Sequence, residues 1–196
     1  ANSSVVLTSQ RPSPSTSLPT LGSPPAVWIT GIAALTADGG LPVQPAPTRS
    51  RATIDVAQLG ELFKGRRTRR LSPYVKYTVA SLLRAIADAG LERQSVEQAT
   101  ALLGSMHGSP SYCYDYYDQI VREGVLAANP VLFAEGVPNA AAAHVSVLLG
   151  VRGACQAIIG SRTCGLDALA LGAARIQEGA SDVVLVGAAE ETHPVI

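Results

Sequence analysis

Charge is scarce in this chain. Charged side chains make up 15% of its 196 residues, and fifteen basic residues cancel fifteen acidic ones. With no field of one sign, the chain has no global electrostatic means of gathering nucleic acid or an anionic membrane. Cysteine is also scarce: Cys113, Cys155 and Cys164 are irregularly spaced and match neither a disulfide framework nor a zinc pattern. No metal or cofactor is expected, and a reducing cytoplasm is the default setting. No apolar run approaches the roughly 20 residues of a membrane-spanning helix. The start at Ala1 carries no signal-like charged and apolar segment, and no internal repeat is visible.

What is abundant is apolar surface, at 47% of the residues in a 20.2 kDa chain. That amount suits one domain with a sizeable core, part of which is expected to be buried against another chain. Residues 1–25 are rich in Ser, Thr and Pro and read as a disordered arm or extended wrap, with the folded domain spanning 26–196. Val27–Ile32 is a buried-strand candidate, and Ala33–Thr53, full of Gly and Pro, reads as loop. Asp55–Phe63 could form a short helix, and the only dense charge run follows it, including Arg66, Arg67, Arg69 and Arg70.

Ser72-Pro73 is a helix start, a capping residue followed by proline at the first helical position. Val75, Val79, Leu82, Leu83 and Ile86 mark its buried face, and Gly90 closes it. Thr100–Gly104 reads as strand and Ser111–Glu123 as a helix bearing Tyr112, Tyr114, Tyr116 and Tyr117. Asn129–Asn139 reads as a loop with two prolines, after which Asn139 caps an Ala-rich helix over Ala140–Leu149. The chain then passes through Ala154–Ile159 (strand), Gly160-Ser161-Arg162 (abrupt turn), a helix, and Asp182–Gly187 (strand). In that helix the spacing of Leu166, Leu169, Ala170, Ala173 and Ile176 predicts the buried face. Strands alternating with helices predict an α/β fold with helices covering a sheet. A sharp strand-to-helix turn suits the display of a nucleophile, because the helix N-terminus supplies positive potential.

Four segments, in order, resemble the N-terminal half of a β-ketoacyl synthase, a condensing enzyme of the thiolase-like fold. VWITGIAALTADGG resembles the family's opening V-V-V-T-G-x-G-x-x-T-P-x-G. RRLSPYVKYTVASLLRAIADAGL resembles its R-x-M-D-R-F-x-x-Y-A helix ending in D-A-G-L. NPVLFAEGVPNAAAAHVSVLLGVRGA resembles its S-P-x-x-F-P-N-x-x-P-N-x-x-A-G-H segment, and GLDALALGAARIQEGASDVVLVGAAEE the helix and strand after the catalytic turn. The resemblance implies one half of a thiolase-like architecture: a mostly parallel central sheet with helices on both faces.

The departures bear on function. The family carries T-A-C-x-S-G at the turn, and counting from Gly153 or back from Gly165 puts its nucleophilic cysteine at Arg162. An arginine stays protonated and cannot form an acyl-enzyme. The family's decarboxylating histidines and lysine lie in a C-terminal half beyond Ile196; His107, His144 and His193 match none of them, and the front segment is rewritten as Pro-rich loop. The resemblance therefore implies a non-catalytic subunit like the chain-length factors, pairing with an active β-ketoacyl-ACP synthase in fatty-acid-like, polyene or polyketide biosynthesis. Phe133, Ala134, Glu135 and Gly136 would shape the partner's pocket, Tyr112 and Tyr116 would line the interface, and the arginine run would dock an acyl carrier protein or lie solvated. Against this stands an enzyme that uses Cys164, its thiol pKa lowered by the helix N-terminus and Arg162, with groups donated by a partner. With no general base available in this chain, Cys164 reads instead as a small residue packed against the sheet, and Arg162 could plug the acyl site, bind an anion or pair with another chain.

Overall fold

The computed structural model describes residues 2–9, 26–36, 54, 56–64 and 68–195. Five strands form one sheet: β1 (Asn2–Thr8), β2 (Trp28–Leu35), β3 (Thr100–Ser105), β4 (Cys155–Ile159) and β5 (Val183–Ala188). Their order across the sheet is β2-β1-β5-β3-β4. β3 is parallel to both β4 and β5, whereas β1 is antiparallel to both β2 and β5. β2 therefore runs in the same direction as β3, β4 and β5, and β1 is the one strand reversed. The helices are α1 (Pro73–Asp88), α2 (Arg93–Gln98), α3 (Pro110–Glu123), α4 (Pro130–Gly136), α5 (Ala140–Leu149) and α6 (Cys164–Gln177), with 3₁₀ turns at Val56–Phe63 and Val125–Ala127.

Both faces of the sheet are covered, as the α/β reading requires. The larger core joins Val6, Leu103 and Leu185 of the sheet to Tyr74, Val75, Val79 and Leu82 of α1, Ala141 and Val145 of α5, and Leu59 and Phe63 of the first 3₁₀ turn. The smaller core joins Leu7, Leu102, Val184 and Val186 to Ala168 and Ile176 of α6. α1 starts as its sequence dictates: Ser72 Oγ accepts from Val75 N at 3.3 Å, with Pro73 in the first turn. It ends before Gly90, whose φ of 62° lies in the left-handed region that favours glycine.

Four expectations need correction. The first eight residues after Ala1 are no loose arm: Asn2–Thr8 is an inner strand with Val6 and Leu7 buried, because a Val-Val-Leu core outweighs the polar residues around it. Residues 10–25, along with most of the expected loop Ala33–Thr53, lie outside the described residues, whereas Ala33–Leu35 extend β2. Asn129–Asn139 contains the helix α4; Asn129 Oδ1 accepts from Val131 N at 2.9 Å and Pro130 occupies its first turn, so the proline starts a helix instead of preventing one. Asn139 precedes α5 without a side-chain capping bond.

The fourth correction concerns the face of α6. Its buried residues are Cys164, Ala168, Gly172 and Ile176, while Leu166 is exposed. In the middle of the helix, at Gly172, there is no room for a large side chain. A Cβ on Gly172 would sit 3.1–3.2 Å from Leu7, Val184 and Val186 side-chain atoms. Small residues therefore turn inward and Leu166 and Ala170 turn out, while Ile176 is buried and Leu169 packs against the smaller core as the apolar spacing predicts. No single described helix is long and apolar enough to cross a membrane.

Candidate functional site

The turn between β4 and α6 has the sharp geometry expected. Gly160 takes φ 101°, a conformation reserved in practice for glycine, and its N–H donates to Ser105 O at 3.2 Å. Beyond it the turn is bonded within itself: Thr163 N donates to Ser161 Oγ at 3.0 Å, and Thr163 Oγ1 donates to Asp167 Oδ2 at 3.1 Å. Arg162 is exposed at the tip, and no ion pair of its guanidinium occurs among the described residues. Asp167 places an acidic side chain in the first turn of α6, where the helix N-terminus favours one.

Cys164 sits on the first turn of α6 but is buried, at 5% exposure. Two glycines let α6 press into the sheet here. A Cβ on Gly104 of β3 would fall 2.7 Å from the Cys164 carbonyl, and one on Gly165 would fall 2.8 Å from Ala188 Cβ. Burial pushes the Cys164 thiol pKa up, and the nearby Glu190 carboxylate adds to the shift. This reverses the expectation of a thiol activated by Arg162 and the helix N-terminus. Cys113 and Cys155 are likewise pushed up, burial being the main cause in each.

Two acids that follow β5 hold the neighbourhood together. Glu190 follows β5; its Oε1 accepts from Ser105 Oγ at 3.2 Å and from Met106 N, and its Oε2 accepts from His107 N at 3.4 Å. The next residue, Glu191, is buried and clamps two helix starts. Its Oε2 accepts from Tyr74 N in the first turn of α1, and its Oε1 from Ser111 N in the first turn of α3, both at 3.0 Å. Prolines 73 and 110 have no N–H to offer at these helix starts, so the clamp takes the next donor of each. The available signal was a pair of acids ending an apolar strand, where a solvated end is the simple reading. Tyr74, buried under this clamp, has its phenol held far above its ordinary range by burial and then by Glu190.

The expected interface residues divide by helical phase. On α4, Phe133 and Ala134 are exposed, whereas Glu135 and Gly136 face inward. Glu135 Oε1 meets His144 Nε2 of α5 at 2.7 Å, and a Cβ on Gly136 would press on Cys113 at 3.3 Å. Tyr112 is turned to its own chain: its hydroxyl donates to Arg70 O at 3.0 Å, and burial, with Glu135 second, raises its pKa. Tyr116 is half-buried with its ring 5.6 Å from Phe133 and 5.4 Å from Tyr117. Around them Tyr117, Val121, Val125 and the fully exposed Leu126 leave the α3–α4 flank apolar toward solvent. Arg69 and Arg70 are exposed; Arg66 and Arg67 lie outside the described residues. No group of three potential metal ligands occurs among the described residues.

Known proteins share this fold. The model of the beta-ketoacyl synthase N-terminal domain matches residues 42–195. Nodulation protein E of Rhizobium leguminosarum bv. trifolii is 31% identical over 116 residues, 57% of this chain and 28% of that protein. A putative polyketide beta-ketoacyl synthase 1 of Streptomyces cyaneus is 27% identical over 177 residues, 85% of this chain and 42% of that protein. The chain thus spans less than half the length of these relatives. Among solved structures, the ishigamide ketosynthase/chain length factor superimposes with a TM-score of 0.62 at 19% identity, covering 70% of this chain and 35% of that one. The AntDE:AntF complex, a type II PKS acyl-carrier protein with its ketosynthase, gives 0.60 at 21% identity, covering 69% and 40%. These likenesses carry the fold, and the family match covers most of the chain. The protein belongs to the β-ketoacyl synthases, through their N-terminal domain.

Proposed function

We propose that this chain is a non-catalytic, chain-length-factor-type subunit that pairs with an active β-ketoacyl-ACP synthase in fatty-acid-like, polyene or polyketide biosynthesis. The observation that carries the reading is Arg162. The family's spacing puts the nucleophile there, and a guanidinium cannot attack a thioester. Cys164 does not make good the loss, since it is buried beneath the turn with its thiol pKa raised.

Two surfaces support a partner. β4 is an outer strand with one neighbour, and its Gln156 and Ile159 are exposed, leaving backbone donors and acceptors for a strand of another chain. The α3–α4 flank exposes Phe133, Tyr117, Val121 and Leu126, aromatic and aliphatic groups of the kind that anchor interfaces. In this reading Phe133 and Ala134 reach the partner's acyl pocket, while Glu135 and Gly136 support α4 from within. Arg69 and Arg70 contribute to carrier-protein docking.

The test is acyl loading from an acyl carrier protein, detected by intact mass, together with co-purification from the native source. The expected result is no acyl adduct on wild type or Cys164→Ala, and retention of a full-length synthase that Phe133→Ser weakens. An adduct on wild type that Cys164→Ala abolishes would establish the competing reading of an acyltransferase. A chain that stays monomeric beside the synthase, and whose removal leaves the synthase's product unchanged, sinks the pairing.

A further inference from the structure

Arg162 follows the C-terminal end of β4, and Glu190 that of its parallel companion β5. The opposite end of the same strands carries a second concave region, away from the turn and from the α3–α4 flank. A cavity of about 330 Å³ opens there, lined among others by Gln98 of α2, Thr100 of β3, Arg175 of α6, and Ser181 and Asp182 before β5. A second cavity of about 300 Å³ shares Gln98 and Asp182 with it and adds Leu91, Ser95 and Val183. Two glycines shape the first. Gly153 lets the chain pass close to the end of α2, since a Cβ there would lie 2.3 Å from Ala99 O. Gly179, at φ 70°, turns the chain out of α6, so that Ser181 and Asp182 come to the same cavity as Arg175.

The cavity holds one charge of each sign, and the two do not pair with each other. Arg175 is half-buried, and no hydrogen bond or ion pair of its guanidinium occurs among the described residues. Asp182 uses one carboxylate oxygen, Oδ1 accepting from Ser9 Oγ at 3.4 Å. Thr100 is 7% exposed, yet its hydroxyl has no hydrogen-bond partner among the described residues. Ser181 Oγ donates to Val183 O at 2.8 Å, which leaves it free to accept. A half-buried cation and a buried hydroxyl without partners carry a desolvation cost that a bound ligand removes. The matching ligand is dipolar: a carboxylate for the guanidinium fork and an ammonium for the carboxylate. Leu91 and Val183 in the adjoining cavity offer an apolar seat beside these polar groups.

We propose that this basin binds a free α-amino acid with a short aliphatic side chain. Arg175 takes the carboxylate, Asp182 the ammonium, Thr100 and Gln98 add hydrogen bonds, and Leu91 and Val183 receive the side chain. The volume is in the range of small-molecule sites, and a few polar groups fixing an apolar body is how such sites select. Neither the guanidinium nor the carboxylate alone defines the site. Its specificity lies in holding both apart in one cavity, so that a ligand lacking either charge leaves one of them unmatched.

The experiment titrates the full chain with L-valine by calorimetry, beside valinamide, which lacks the carboxylate, and isovalerate, which lacks the ammonium. L-valine is expected to half-saturate the site at about 1 mM, as suits a ligand of so few atoms. Each analogue should bind at least about tenfold more weakly. Arg175→Gln should weaken L-valine at least about tenfold and leave valinamide unchanged, whereas Asp182→Asn should weaken L-valine as much and leave isovalerate unchanged. The asparagine keeps an oxygen for Ser9, and a merely structural role for either residue would not give this crossed pattern. Absence of saturation by L-valine, equal binding of the three probes, or variants that weaken all three alike would overturn the proposal. Should a variant fail to fold, the ranking of the three probes on the wild-type chain decides. The measurement involves no synthase, so it and the pairing test fail independently.

Discussion

Two strand-to-helix junctions stand side by side on this sheet, and they are built on opposite plans. The β4–α6 junction is local: Ser161, Thr163 and Asp167 bond one another within a few residues, and Arg162 projects from the tip. The β3–α3 junction is held from a distance, by Glu190 and Glu191 arriving from the end of β5. A turn bonded within itself keeps its shape whatever side chain stands at its tip. A junction clamped by one buried carboxyl that also serves α1 does not tolerate losing it. The contrast explains how the tip can carry an arginine with no change of fold. Its backbone shape and its chemistry are separable.

The sharpest way to break the comparison is at the clamp. Glu191→Ala removes one acceptor from two helix N-termini and strands the N–H groups of Tyr74 and Ser111 in a buried site. The expected loss is about 3 kcal/mol, the sum of a charged hydrogen bond and an orphaned donor. In a domain of this size that lowers Tm by about 6–12 °C, measurable by calorimetry. A loss below about 1 kcal/mol would show that the two helices do not depend on it. Next in size is Gly104→Ala, where the new methyl meets the Cys164 backbone at 2.7 Å. Backbone cannot move aside as a side chain can, so about 2–3 kcal/mol is expected. The β4–α6 junction thus has its own weak point, at its base and not at its tip.

This division also explains what was legible in the sequence. The strands β3, β4 and β5 and the helix α1 could be read because apolar runs and a Ser-Pro cap announce them through local chemistry. The face of α6 could be read only in part: Ile176 and Leu169 pack as expected, but hydrophobicity ranks Leu166 above Gly172, while the close approach of the sheet admits only the glycine. β1 was hidden among Ser and Pro, its identity fixed by neighbours far away in the chain. Of the candidate site, family spacing pointed to Arg162 and Cys164, but the sign of the Cys164 shift depends on Glu190 and burial, which only the fold brings together. Glu191 gave no local sign that it would be buried.

The raised thiols give a pH test of that environment. Burial, with Glu190 second for Cys164, keeps the thiolate scarce at pH values where a free cysteine, with an ordinary pKa near 8.5, is already reactive. Alkylation of Cys164 by iodoacetamide at pH 7.5 should run at least about tenfold slower than that of free cysteine, and should still be climbing as pH passes through about 9. The direction is the same for the half-buried Cys113 and Cys155. A Cys164 rate that levels off near neutral pH would mean an activated thiol and would restore the enzyme reading.

The smallest stability effect belongs to the tip, and it sharpens the comparison most. Arg162→Ala removes an exposed side chain with no ion pair among the described residues, so stability should change by no more than about 0.5 kcal/mol. Arg162→Cys should be equally harmless to the fold. The new thiol would stand in the open at the start of α6 without the burial that suppresses Cys164, so it should alkylate at least about tenfold faster than Cys164 in the same molecule. Peptide mapping after a timed iodoacetamide pulse resolves the two positions. Faster labelling at position 162 with unchanged Tm would show that the turn still presents its tip as a nucleophile's seat, and that the arginine alone withholds the chemistry. If Cys164 labels first, or if Arg162→Ala unfolds the domain, shape and chemistry are not separable here and the guanidinium is part of what holds the turn.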